Sequence, residues 1–236
     1  MSDPEPPSPA LGERLLARGR DADILDWGPG LVLRRSRTGR PLVREAEVME
    51  HVRRAGYPVP AVREVRAEGR ELVMDRIEGP SMLQVLVRRP WRQRELARLL
   101  ADLHLRLGAV TAPAGLRSLG PGTAVLHQDL HPLNVLMTGA GPVVIDWANA
   151  GCGPPALDVA STWVILDSSE APGPALVQRL LRSRRSAFVE AFLAATGQRP
   201  EARALLGVVV ERRLADRNLT PGERDYLARW LTSITG

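Results

Sequence analysis

The apolar pattern of this 236-residue chain turns from mainly strand-like to mainly helical at Gly79-Pro80, and that change dictates the fold class. Before it the text is short β-like runs broken by glycine: Asp23–Trp27, Leu31–Arg35, Ala61–Arg66 and Glu71–Ile77. Turn signals at Gly28-Pro29-Gly30 and Glu68-Gly69 sit where hairpins need them. One helical stretch, Leu42–Ala55, interrupts these runs. After Gly79-Pro80, Leu96, Leu99, Leu100, Leu103 and Leu107 recur at helical spacing and predict an amphipathic helix ending at Gly108. Val135–Thr138 and Pro142–Ile145 then flank Gly139-Ala140-Gly141, and three or four helices are expected from Ala156 onward. A small sheet-rich lobe (11–78) followed by a larger helical one (79–236) is an α+β architecture with a cleft between the lobes. The proline-rich residues 1–10 are expected to be a disordered tail.

Composition removes several classes of function. The single cysteine, Cys152, excludes an internal disulfide framework and any multi-thiolate zinc cluster. All 32 basic residues are arginine, and without lysine there is no Schiff-base chemistry and no Walker A loop. The pI of 10.7 partly reflects arginine's high pKa, since the net charge is only +5. Arginine pairs such as Arg53-Arg54 are scattered among acids, so no nucleic-acid surface is expected. No apolar run is long enough to span a membrane, and the N-terminus is not a signal peptide; a cytoplasmic protein is expected.

The chemistry is concentrated in His127–Asp146, HQDLHPLNVLMTGAGPVVID. In a hairpin centred on Ala140, Asn134 and Asp146 are symmetric and face each other, with Cβ atoms roughly 5 Å apart. An amide oxygen and a carboxylate at that separation form a hard, oxygen-only site suited to Mg²⁺. Asp129, on a loop stiffened by Pro132, can accept a proton from an attacking hydroxyl. A base that orients a nucleophile and a metal that neutralises charge are the parts phosphoryl transfer needs.

His127-Gln128-Asp129 with Asn134, then Ile145-Asp146-Trp147, then Asp158-Val159-Ala160, resembles the aminoglycoside phosphotransferase family. That family shares the protein-kinase fold and phosphorylates small molecules. The resemblance covers about Leu11 to Trp163. It implies a two-lobed kinase-like fold, ATP and Mg²⁺ as cofactors, and a small-molecule hydroxyl acceptor. It also implies that Asp129 is the catalytic base, that Asn134 and Asp146 are metal ligands, and that Asp158 braces the catalytic loop.

In a kinase-like N-terminal lobe, a basic strand residue holds the nucleotide phosphates and is itself held by a helix glutamate. Alternation along Leu31–Arg34 puts Val32 and Arg34 on one face, where Val32 can cover adenine and Arg34 can reach phosphate. The family usually has lysine at this position; Arg35, the other arginine of the pair, would point outward. Glu45, Val48, Met49 and Val52 share one helix face, which favours Glu45 over the solvated Glu47 as the partner. The phosphate-covering loop would be Ala17–Asp23 around Gly19. Glu71–Gly79 resembles the segment joining the lobes, with Met74 lining the pocket and backbone groups near Asp75 and Ile77 meeting adenine.

The remaining conspicuous residues receive structural readings. His104 is expected to be a hydrogen-bonded packing residue, His51 solvent-facing, and Cys152 a small structural thiol. Trp91, Trp163 and Trp230 are expected to be core or interface anchors, while His131 orders the catalytic loop. Trp147–Ala160 contains no Ser, Thr or Tyr, which argues for a constitutively formed site rather than a phospho-regulated one. Residues 170–236 carry eleven arginines against seven acids, a net +4 that argues against a typical polycationic aminoglycoside. An uncharged or anionic hydroxyl compound fits better. Two other classes stay open: a non-catalytic nucleotide-binding module of the same fold, and a basic nucleic-acid-binding protein.

Overall fold

A computed structural model describes residues 14–19, 21–169, 175–216 and 219–235, so the expected tail lies outside the described residues. The chain divides into two compact units: Met1–Gly79 with Leu136–Ala148, and Pro80–Val135 with Asn149–Gly236.

The first unit is built on a five-stranded antiparallel sheet. Its strands are β1 (Leu15–Arg18), β2 (Ala22–Asp26), β3 (Leu31–Ser36), β4 (Val62–Arg66) and β5 (Glu71–Asp75), in the order β1-β2-β3-β5-β4. The sequence pattern did not mark β1, whose side chains are mostly exposed and show no alternation. Cross-strand pairing of Leu25 with Leu33, and of Leu33 with Val73, makes a small core on one face, joined by Trp27 and Leu31. The opposite face carries Val32, Arg34, Leu72 and Met74, because side chains alternate along a strand.

Helix α1 (Val43–Arg54) buries Glu45, Ala46, Val48, Met49 and Val52, the stripe its 3.6-residue period predicts. The 136–148 stretch, grouped by sequence with the helical part, packs with the sheet. Gly79 explains part of this, since a Cβ there would stand 2.4 Å from Met137 O at a φ of +149°. The Val144 amide donates to Pro58 O at 2.8 Å, and buried Trp147 stacks edge-on against Tyr57 at 5.7 Å.

The second unit is helical. Helices α2 (Met82–Arg88) and α3 (Gln93–Gly108) lead to the short strand β6 (Ala124–Leu126). The hairpin β7 (Val135–Thr138) and β8 (Gly141–Val144) carries the chain through the unit boundary, and β9 (Gly151–Gly153) pairs with β6. Among the described residues five helices follow: α4 (Pro155–Ser168), α5 (Ala175–Thr196), α6 (Arg199–Ala204), α7 (Leu206–Leu214) and α8 (Pro221–Thr235). This exceeds the expected three or four because α6 and α7 abut at Leu205, a break without proline or glycine. Among the described residues, no helix is long and apolar enough to cross a membrane.

Candidate active site

In the second unit, β6 delivers the chain into the loop His127–Asn134, and β9 pins that strand through Leu126 opposite Gly151. Gln128 sits at a φ of +67°, a left-handed conformation that a non-glycine residue holds only when its surroundings compel it. Asp158 supplies the compulsion. Its Oδ1 accepts from the Gln128 amide at 2.6 Å and from Gln128 Nε2 at 3.1 Å, and its Oδ2 accepts from the His127 amide at 3.1 Å. Asp158 is 3% exposed, and its place in the first turn of α4 also suits a carboxylate to the helix dipole. A second tie fixes the same loop: Thr162 Oγ1 donates to Leu130 O at 2.7 Å. His104 lies beneath, with Nε2 2.9 Å from Thr162 Oγ1 and Nδ1 2.8 Å from Leu100 O. Burial pushes its pKa down, as fits the packing role expected of it.

The loop converges on Asp129. Asn134 Nδ2 donates to Asp129 O at 2.8 Å and to Asp129 Oδ2 at 3.1 Å, so Oδ1 is the amide atom left to meet a cation. His131 Nε2 stands 3.4 Å from Asp129 Oδ1, a pairing the sequence did not reveal. Burial pushes the Asp129 carboxyl up, but the hydrogen bond and charge of His131, with His127 and Arg213, hold it below its ordinary value. Asp129 is therefore an ionised acceptor at neutral pH. Arg213 was missed at the sequence level, although it continues the stripe of Leu206, Val209 and Val210 on α7.

In the first unit, Arg34 is the hub. Its Nε lies 3.2 Å from Glu45 Oε1, and its Nη2 donates to Asp146 Oδ1 at 3.0 Å. Arg34 and Glu45 are nearly inaccessible, with side-chain exposures of 11% and 6%, while Asp146 is 43% exposed. Desolvation pushes Glu45 up to about 7 against the opposing charge of Arg34, and the Asp146 charge adds to the rise. The competing assignments separate: Glu47 is exposed and pairs with Arg44, and Arg35 pairs across the strands with Glu71 at 2.8 Å. Asp146 itself has a φ of +66°, braced by Trp147, whose ring is buried and whose Nε1 donates to Val144 O at 3.1 Å.

The expected nucleotide residues Val32 and Met74 are direct cross-strand partners on the Arg34 face. The Asp75 amide donates to Ala61 O at 3.0 Å and the Asp75 carboxylate accepts from Arg63 Nε at 2.7 Å, so a contact with adenine cannot use that amide. Ile77 lies just beyond β5, half-buried. Gly19 closes the β1–β2 turn: its amide donates to Ala22 O at 2.9 Å, and its carbonyl accepts from Arg37. That amide is spent within the hairpin, and a Cβ at Gly19 would stand 2.7 Å from Ala22 O. Gly19 thus shapes the turn instead of offering its amide to a phosphate.

Other expectations are corrected or refined. Trp91 is 77% exposed and belongs to no core. It borders a surface hollow of about 680 Å³ with Pro90, Arg94 and Glu190, which none of the motif residues lines. Trp163 and Trp230 do meet, with ring centroids 6.5 Å apart. Cys152 is half-buried in β9, its Sγ 3.6 Å from Leu116 O.

Residues 116–205 match the model of the phosphotransferase enzyme family, APH. Among solved structures, aminoglycoside phosphotransferase APH(4)-Ia superposes with a TM-score of 0.66 at 15% identity, covering 94% of this chain and 92% of that one. A choline/ethanolamine kinase family protein from Mesorhizobium loti gives 0.54 at 18% identity, covering 95% and 87%. The streptomycin–ATP–APH(2'')-IIa ternary complex gives 0.58 at 17%, covering 86% and 83%. These likenesses establish the kinase-like α+β fold. A thiamine kinase of Salmonella paratyphi B is 49% identical over 41 residues, a match spanning 17% of this chain and only 15% of that protein.

Proposed function

We propose that this kinase-like member of the aminoglycoside phosphotransferase family moves the γ-phosphate of ATP to a hydroxyl of a small molecule. The observation that carries the reading is Asp129, with His131 Nε2 3.4 Å from one carboxylate oxygen and Asn134 donating to the other, on a loop that Asp158 holds in a strained conformation. In the transfer, the acceptor oxygen bonds to the γ-phosphorus while the bond to the β–γ bridging oxygen breaks. The hydroxyl proton passes to Asp129, and ADP leaves. Asp129 would orient the hydroxyl and accept its proton.

Arg34 would meet the nucleotide phosphates, with Glu45 holding the guanidinium in place, and Val32 and Met74 would pack on adenine. Asn134 Oδ1 and the Asp146 carboxylate suit Mg²⁺, which takes one or two protein oxygens and fills its shell with phosphate and water. Bound there, the metal would neutralise charge developing on the transferred phosphoryl group. Neighbouring solved structures hold AMP-PNP with hygromycin B, or streptomycin with ATP, which supports a nucleotide and a small acceptor.

One observation favours a second reading. The Arg34 guanidinium occupies Asp146 Oδ1, the oxygen a metal would share, as in a module that binds nucleotide without transferring phosphate. The test is ADP release with Mg²⁺-ATP and a panel of small hydroxyl compounds. The Asp129→Ala variant should lose ~10²–10⁴ in kcat with little change in ATP affinity. Nucleotide binding without turnover of any compound by the parent would instead support the second reading.

A further inference from the structure

The two most exposed large apolar side chains among the described residues stand four positions apart, and core packing accounts for neither. Val87, near the end of α2, is 72% exposed, and Trp91, just ahead of α3, is 77% exposed. Leu83, one turn before Val87 on the same face of α2, is exposed too. Arg89 ends the helix in non-helical backbone, with a φ of −134°, and Pro90 starts the single tight turn that carries Trp91. A lone exposed apolar residue needs no explanation, but a group of them marks an interaction surface.

Charge accompanies these side chains. Arg88, Arg89, Arg94 and Arg98 are exposed, and among the described residues none of the four is ion-paired. Exposed arginines of the first unit are matched instead: Arg44 with Glu47, Arg53 and Arg54 with Glu50, and Arg63 with Asp75. The surface hollow of about 680 Å³ brings Trp91 and Arg94 together with Ala187 and Ala191 of α5. Arg98 follows Arg94 by one turn on α3 and so shares its face. The acids bordering this face are committed: Glu95 accepts from Arg92 Nε at 2.8 Å, and Glu190 accepts from Arg199 Nη1 at 3.2 Å.

We propose that this face binds the surface of an anionic lipid bilayer. Val87 and Trp91 would enter the headgroup region, where an indole suits the boundary between apolar and wet layers, and the four arginines would meet lipid phosphates. The chain would lie on the membrane and not span it, in keeping with its helices. Charge complementarity selects this occupant. A second copy docked by a two-fold would set unpaired arginines against each other, and a nucleic acid has no use for an exposed valine and leucine. The Leu83 amide donates to Pro132 O at 3.0 Å, so a bilayer held here would lie beside the loop that carries Asp129. The proposal is independent of the transfer reading.

The test sediments the full chain with vesicles of mixed phosphatidylglycerol and phosphatidylcholine, and with vesicles of phosphatidylcholine alone. The chain should bind the first and not the second, and should be released as salt rises toward ~1 M. Arg88→Gln with Arg89→Gln should weaken binding roughly tenfold or more, since each arginine near an anionic surface is worth a factor of about five. Trp91→Ser should weaken binding and abolish the blue shift of tryptophan fluorescence that the vesicles produce. These side chains are exposed, so the variants should melt with the parent. Arg53→Gln with Arg54→Gln removes the same charge from α1 and should bind as the parent does. Equal weakening by that control pair would reduce the effect to general charge attraction and overturn the proposal. No binding to the anionic vesicles would overturn it as well. A dimer that Trp91→Ser dissociates, or duplex DNA bound through Arg88 and Arg89 in place of vesicles, would give the face to another occupant and overturn it too.

Discussion

Arg34 and Asp146, 112 residues apart in sequence, are joined by a 3.0 Å bond from Nη2 to Oδ1 while the same guanidinium holds Glu45 through Nε. The guanidinium does not grip one carboxylate with both prongs; it divides between a buried acid and a half-exposed one. The two acids therefore compete for one cation, and the consequences can be measured.

Removing the cation should be expensive. Arg34→Ala leaves Glu45 buried and uncompensated, and should cost on the order of 3–5 kcal/mol in urea denaturation. Arg34→Ala with Glu45→Leu should recover much of that loss but no nucleotide affinity. Equal, mild effects of Arg34→Ala and Arg35→Ala would show that Arg34 is not the anchor.

Glu45 makes stability depend on pH with a definite sign. Its folded pKa is raised from 4.5 to about 7, so the folded state binds the extra proton between those values. Stability from this group is present below about pH 4.5 and falls as pH rises through 7, by on the order of 3 kcal/mol. Glu45→Gln should flatten that part of the profile, as read by melting temperature from pH 4.5 to 8. An unchanged slope in the variant would remove Glu45 as its source.

Asp146→Asn deletes a charge at a half-exposed position and should leave the fold intact. It should abolish the Mg²⁺-dependent part of the thermal shift produced by ATP. A shift equal to the parent's would show that Asp146 is no metal ligand.

Asp158→Ala removes the acceptor for three donors, two of them backbone amides, around the left-handed Gln128. It should cost about 3 kcal/mol in stability and also depress kcat, because the loop carrying Asp129 would relax. If hydrogen exchange at Gln128 stayed as slow as in the parent, the bracing role would be lost.

What the sequence determined lies within single elements. The period of α1 singled out Glu45 from Glu47, and strand alternation put Val32 with Arg34, because each pattern is a local geometric repeat. The change of period at Gly79-Pro80 announced a sheet followed by helices, and the order His127, Asp129, Asn134, Asp146, Asp158 marked the candidate site. Only tertiary structure decided which distant groups meet. It gave Arg34 a second partner in Asp146 and set His131 against Asp129. It also left Trp91 at the surface and spent the Gly19 amide inside its own turn. Hydrogen bonds and ion pairs depend on separations of a few ångströms between elements far apart in the chain. No periodicity encodes those separations; packing sets them, as it sets the strained backbone at Gln128 and Asp146.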